Sequence, residues 1–133
     1  MKDYSFLTQE AFKALENAYA PYSKYRVGSC ILLNDGNMIH GANIENASFG
    51  ATSCAERNAV FAAYSLGYRK EDIEAIAIVT EGDILAGPCG ICRQVLSELL
   101  PQDAPILLSN HHEHLDTNID ELIPLQFGPK DLV

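Results

Sequence analysis

Two short segments hold most of the chemistry available to this chain: Cys54-Ala55-Glu56-Arg57 and Pro88-Cys89-Gly90-Ile91-Cys92. Cys89 and Cys92 stand three positions apart where a helix begins, so both sulfurs can point to one side. That arrangement suits a tetrahedral zinc with Zn–S bonds of about 2.3 Å. A lone C-x-x-C also serves redox sites, but here neither a neighbouring Trp nor a Cys-Gly-Pro-Cys sequence accompanies it. Two cysteines simply buried in a core are the plainer alternative.

Cys54 falls in the first turn of another predicted helix. Helix N-termini carry partial positive charge, which favours thiolates over thiols. Three thiolates leave one zinc position free for water, the mark of a catalytic rather than a structural site. Cys30 as a fourth ligand would close that tetrahedron. Its neighbours Val27, Ile31 and Leu33 mark it instead as a buried strand residue. Glu56 leaves the same helical turn as Cys54 in a different direction. It can approach a water on the metal without being a ligand, take a proton and return it elsewhere. Taken alone, a Glu in a first turn is no more than a favourable partner of the helix dipole.

These residues need elements to hold them. Ala11, Phe12, Leu15, Ala18 and Tyr19 share one face of a predicted helix that Pro21 closes from beyond its end. Val27 to Leu33 is β-prone, and Asn34-Asp35-Gly36-Asn37 is a strong turn signal before Met38 to Asn43, so the pair reads as a hairpin. Ser53 is the predicted N-cap of a helix reaching Leu66, with Gly67 at its C-terminal end. Ile73 to Val79 is an almost continuous apolar run, as a strand covered on both faces requires. Pro88 opens a helix through Val95, Leu96, Leu99 and Leu100, stopped by Pro101. Ile106 to Ser109 reads as another buried strand, completing a parallel βαβ unit. His111, His112 and His114 lie in a polar run from Ser109 to Asp120 that reads as an exposed turn. Ile123-Pro124 and Gly128-Pro129 break any long helix near the end. The expected fold is therefore α/β: a single domain over residues 1–133, three layers (α/β/α), around a mixed sheet.

Composition sets limits on function. The 133 residues are 47% hydrophobic and 20% charged, enough to build one core but without a run of roughly 20 apolar residues that would span a membrane. Nine Lys and Arg against eighteen Asp and Glu give a net charge of −9. Nucleic-acid binding usually rests on cations that neutralise phosphates, so a small uncharged substrate is favoured over a polynucleotide. The opening MKDYSFLTQE lacks the layout of a signal peptide, which points to the cytoplasm. Cysteines in such a compartment serve as ligands or catalytic groups more often than in disulfides.

Together these segments resemble the zinc-dependent cytidine deaminase family, specifically its small, three-cysteine, homotetrameric type, in which a Glu that does not bind the metal acts as acid and base. The resemblance extends through Pro88 to Gln94, Ala20-Pro21-Tyr22-Ser23-Lys24, Val27-Gly28 and Asn43-Ile44-Glu45-Asn46, covering residues 18 to about 127. It implies a cytidine-deaminase-like sheet of about five strands and one Zn2+ per subunit on Cys54, Cys89 and Cys92. It also implies hydrolytic deamination of cytidine and deoxycytidine in pyrimidine salvage, through hydroxide on zinc attacking C4 with Glu56 as proton shuttle. Asn43 and Glu45 would bind the ribose, where the plain reading of Asn-x-Glu is turn chemistry. The Ala55 N–H would meet the pyrimidine O2. Arg57 and Arg93 would donate to the sulfurs and draw off their charge. Tyr25 stands where the family often has a Phe packed on the substrate, and Gly87 where it often has Ser. Phe127 matches an aromatic that reaches a neighbouring subunit's site, which would make each active site of the homotetramer composite. A nucleoside-antibiotic deaminase and a structural zinc knot are the competing readings; the ribose-binding match disfavours the first, and the purpose of Glu56 the second.

Overall fold

The computed structural model describes residues 2–132. A five-stranded mixed sheet has the order β2-β1-β3-β4-β5, with β1 at Val27–Leu33, β2 at Met38–Ala42, β3 at Ile73–Thr80, β4 at Ile106–Ser109 and β5 at His114–Thr117. β1 runs antiparallel to both β2 and β3, β3 and β4 are parallel, and β4 and β5 are antiparallel. The hairpin turn forms where the sequence places it, with Gly36 at φ +91°. A side chain rarely tolerates that conformation, and glycine adopts it freely.

Period-two alternation along β3 divides the core. Ala75, Ala77 and Val79 pack with Cys30 and Leu32 under helix α1, Ser5–Leu15, whose Leu7, Ala11 and Leu15 are buried. Ile76 and Ile78 face the opposite way, toward helices α2 (Ala55–Ser65) and α3 (Gly90–Leu99). These are the three layers expected. Among the described residues, no helix is long and apolar enough to cross a membrane.

Two local expectations need correction, and the tail, expected to hold no long helix, holds none among the described residues. α1 ends at Leu15, because the backbone of Tyr19 pairs instead with Asn43 and Glu45, at 2.9 and 2.8 Å. The polar run after Ser109 contains β5, an edge strand whose first three residues are exposed and so carry no apolar alternation. The tail forms a short helix, α4 (Ile119–Leu122), capped by Asn118, whose side chain accepts from the Glu121 N–H at 3.1 Å. Residue 133, where the predicted terminal segment ends, lies outside the described residues.

Two glycines allow helices to sit close on the sheet. A Cβ at Gly28 would stand 2.1 Å from the Ala11 carbonyl oxygen of α1, and one at Gly41 would stand 2.3 Å from the Ala55 oxygen of α2. Backbone cannot retreat cheaply, so Gly41 fixes how near α2 approaches β2. Gly41→Ala should lower folding stability by about 1–3 kcal/mol, read as a lower denaturant midpoint. An unchanged midpoint would show that the helix is free to shift.

Candidate active site

Two helix N-termini meet at the centre of the site. Ser53 is not the N-cap of α2, because its backbone exchanges hydrogen bonds with Ile44, both at 2.9 Å. The helix begins one residue later, and Cys54 becomes the extended N-cap, with φ −73° and ψ 155°. Cys89 is the equivalent residue of α3, at φ −67° and ψ 167°. Neither side chain bonds the helix amides as a capping oxygen would. Both sulfurs are directed at one another, 3.8 Å apart. Cys92, in the first turn of α3 and fully buried, brings the third, and all three ligand atoms lie within 4.8 Å of one another.

The electrostatics follow from this crowding. A hydrogen bond from Cys92 and the guanidinium of Arg57 lower the Cys54 thiol to about 5. Cys92 is driven far upward by bonding to that thiolate, by burial and by Glu56. Arg57 donates from one Nη2 to the Cys54 sulfur and to the Thr52 carbonyl, each at 3.4 Å. Cys30 is fully buried among the residues beneath α1, across the sheet from the other cysteines. Burial pushes its thiol up to about 12, so it remains protonated.

This donor set fits zinc. Tetrahedral bonds of about 2.3 Å place sulfurs about 3.8 Å apart, and the Cys54–Cys89 separation is 3.8 Å. A soft cation and three adjacent sulfurs also relieve each other's charge. Cys54, Cys89 and Cys92 would hold the ion.

A cleft of about 270 Å³ opens beside the sulfurs, lined in part by Glu56, Asn43, Glu45, Tyr25 and Thr80. Glu56 is only 4% exposed. Burial pushes its carboxyl up to about 7, and the negative charge of Cys54 adds to the effect. Ala55 lines the same cleft as the first residue of α2, where an N–H has no intrahelical acceptor.

Asn43 and Glu45 both hold the segment from Tyr22 to Val27. The Asn43 amide donates to the Tyr25 carbonyl and accepts from the Val27 N–H, each at 2.9 Å. Glu45 accepts from the N–H groups of Tyr22 and Ser23, at 2.9 and 3.1 Å, and from the Ser23 hydroxyl. The bonds from Ser23, the hydroxyl's foremost, and from Tyr22 hold its carboxyl below the usual range. Turn chemistry and cleft lining thus coincide in one pair. Tyr25 packs against Gly82, where a Cβ would stand 3.0 Å from its ring.

Two predicted site residues lie elsewhere. Arg93 donates to the Pro88 carbonyl at 2.7 Å and the Leu122 carbonyl at 2.6 Å. Its expected sulfur contact is therefore corrected: it fastens the segment before Cys89 to α4. Phe127 is 56% exposed, with its carbonyl accepting from Gln94 at 2.9 Å, and it does not line the cleft of its own chain. No histidine lines the cleft: His111 stacks on Phe12, His112 stands 3.8 Å from Asp83, His114 bonds Ser109 and Asp116, and His40 bonds Glu10. Sequence reasoning missed Thr80, although a polar residue closing a buried apolar strand is itself a signal.

Comparison with known proteins agrees with this geometry. Residues 1–107 match the family model described as the cytidine and deoxycytidylate deaminase zinc-binding region. The chain is 47% identical to a cytidine deaminase of Halalkalibacterium halodurans over 131 residues, covering 98% of both chains. It is 42% identical to that of Sporosarcina psychrophila, covering 98% of this chain and 95% of the other. Among solved structures, the cytidine deaminase of Burkholderia pseudomallei superposes with a TM-score of 0.91 at 42% identity, covering 95% of this chain and 100% of that one. That of Mycobacterium tuberculosis gives 0.81 at 35% identity, with 96% and 99% covered.

Arg57 should affect the metal without touching it. Replacing groups that support metal ligands typically costs about 10–100-fold in affinity. Arg57→Ala should lose zinc to a competing chelator at correspondingly lower chelator concentration. Equal retention would show that the guanidinium does not stabilise the thiolates.

Proposed function

The chain belongs to the family of cytidine and deoxycytidylate deaminases with a zinc-binding region, and on that premise we propose that it hydrolyses cytidine and deoxycytidine to uridine and deoxyuridine, with release of ammonia, in pyrimidine salvage. One observation carries this reading: the buried Glu56 lines the same cleft as Cys54 and Cys89, two of the three clustered sulfurs, in the first turn of the helix that Cys54 caps. A structural zinc knot has no use for a carboxyl placed there.

The chemistry that zinc supplies when held by the three thiolates is Lewis-acid activation of water near neutral pH. Glu56 moves the protons. It takes one from the attacking water and places it on N3 of the pyrimidine as the new C–O bond forms at C4. It then carries the second to the exocyclic nitrogen, and the C4–N4 bond breaks to release ammonia. Both protons of the water are thereby placed, one on the product's N3 and one on ammonia. A carboxyl pushed up to about 7 accepts and donates with similar ease near neutral pH.

Positioning falls to the rest of the cleft. The Ala55 N–H donates to the pyrimidine O2, and the Tyr25 ring packs against the base. Asn43 and Glu45 use their remaining lone pairs and N–H on the ribose hydroxyls. At about 270 Å³ the cleft is slightly smaller than the usual ligand pocket of about 300–1,000 Å³. A neighbouring subunit would complete it: exposed Phe127 reaches across in a homotetramer with composite sites, acting on a free nucleoside in the cytoplasm.

Purified protein should therefore consume cytidine, followed as a loss of its ultraviolet absorbance, and should sediment as four chains. Glu56→Gln should retain zinc while losing at least about 10²–10⁴-fold in rate. A Glu56→Gln protein with undiminished turnover would remove Glu56 from the mechanism. Absence of turnover by the parent protein would move a nucleoside antibiotic or a structural zinc to the front.

A further inference from the structure

Thr80 is the last residue of β3, following the apolar run Ala75 to Val79. It pairs with Val27 across the antiparallel β1/β3 ladder. Alternation places it with Ile76 and Ile78 on the face toward α2 and α3, and it lines the cleft with Glu56 and Asn43. The residue is 4% exposed, and its Oγ1 has no hydrogen-bond partner among the described residues.

The other buried hydroxyls of this chain are differently treated. Ser29 donates to the Ala77 carbonyl at 2.9 Å, and Ser97 to the Gln94 carbonyl at 2.7 Å. Ser109 bonds the His114 ring at 2.6 Å, and Thr117 reaches the Asn118 carbonyl at 3.4 Å. Among the buried hydroxyls of the described residues, only that of Thr80 lacks a partner. Valine has the same shape, would continue the apolar run, and would carry no desolvation cost. The C-terminal ends of strands are also where open α/β sheets place their ligands.

We propose that Thr80 is a substrate-positioning residue, whose hydroxyl completes its hydrogen bonding with the pyrimidine nucleoside that fills the cleft. This rests on the deaminase reading and adds a contact that the zinc ligands, Glu56, Ala55, Asn43 and Glu45 do not provide. A hydroxyl both donates and accepts, so it can engage substrate and product alike. It contributes to binding rather than to the chemical step.

The test compares Thr80→Val, Thr80→Ala and Thr80→Ser with the parent enzyme, all zinc-loaded. Removing one neutral hydrogen bond should raise the KM for cytidine and the inhibition constant of uridine by about three- to tenfold. kcat should change by less than about twofold, since the contact is equal in ground and transition states. Thr80→Val should melt no lower than the parent, because it removes an unpaired buried hydroxyl. Thr80→Ser should keep both constants near those of the parent. The alanine variant reads the same loss should valine disturb the packing. Parental KM in both apolar variants would overturn the proposal, as would an equal KM rise in the serine variant, which would assign the effect to the methyl group. Absence of turnover by the parent would instead refute the deaminase reading.

Discussion

Three sulfurs that must ionise within 4.8 Å of one another set the problem that the fold solves. At an effective dielectric constant near 20, two unit charges 4 Å apart repel by about 4 kcal/mol. A chain with no compensation would keep those thiols protonated or apart. Here the compensation is built from backbone: α2 and α3 both end at the cluster, each offering roughly half a positive charge at its N-terminus. Arg57 adds a full charge at 3.4 Å from the Cys54 sulfur. Bound zinc completes the balance.

The sheet makes that meeting of helices inevitable. β3 and β4 are parallel, so the chain must cross over between them, and α3 must start near the end of β3. α2 arrives from the hairpin side, resting on β2 at a distance that Gly41 permits. The residues around the cleft then serve both fold and chemistry. Asn43 and Glu45 tie down the segment that carries Tyr25, and Arg93 ties the approach to Cys89 onto α4. Because these bonds are made within the protein, the cleft keeps its shape without substrate, and catalytic groups gain from such preorganisation.

Much of this was legible in the sequence, for identifiable reasons. The hairpin announces itself through Asn34-Asp35-Gly36-Asn37, and β3 through its unbroken apolar run. The cysteine spacing announces the metal cluster, and Glu56, our proposed proton carrier, stands two residues after its first cysteine. What escaped depends on distant partners. Local periodicity extends the first helix to Tyr19, yet the Tyr19 backbone is claimed by Asn43 and Glu45. Ser53 is the better capping side chain, yet its backbone is claimed by Ile44, which passes the N-cap to Cys54. β5 is hidden because an edge strand with three exposed residues shows no alternation to read. Arg93 sits beside a ligand in sequence, while its guanidinium reaches the carbonyls of Pro88 and Leu122, 34 residues apart in the chain.

The central claim is that the cluster is an open, catalytic metal centre of three thiolates. Zinc-edge X-ray absorption on the purified protein tests it directly. The account predicts three sulfurs at about 2.3 Å and one light oxygen or nitrogen neighbour. Four sulfurs would contradict it, since they would enlist Cys30 from across the sheet and leave no position for water.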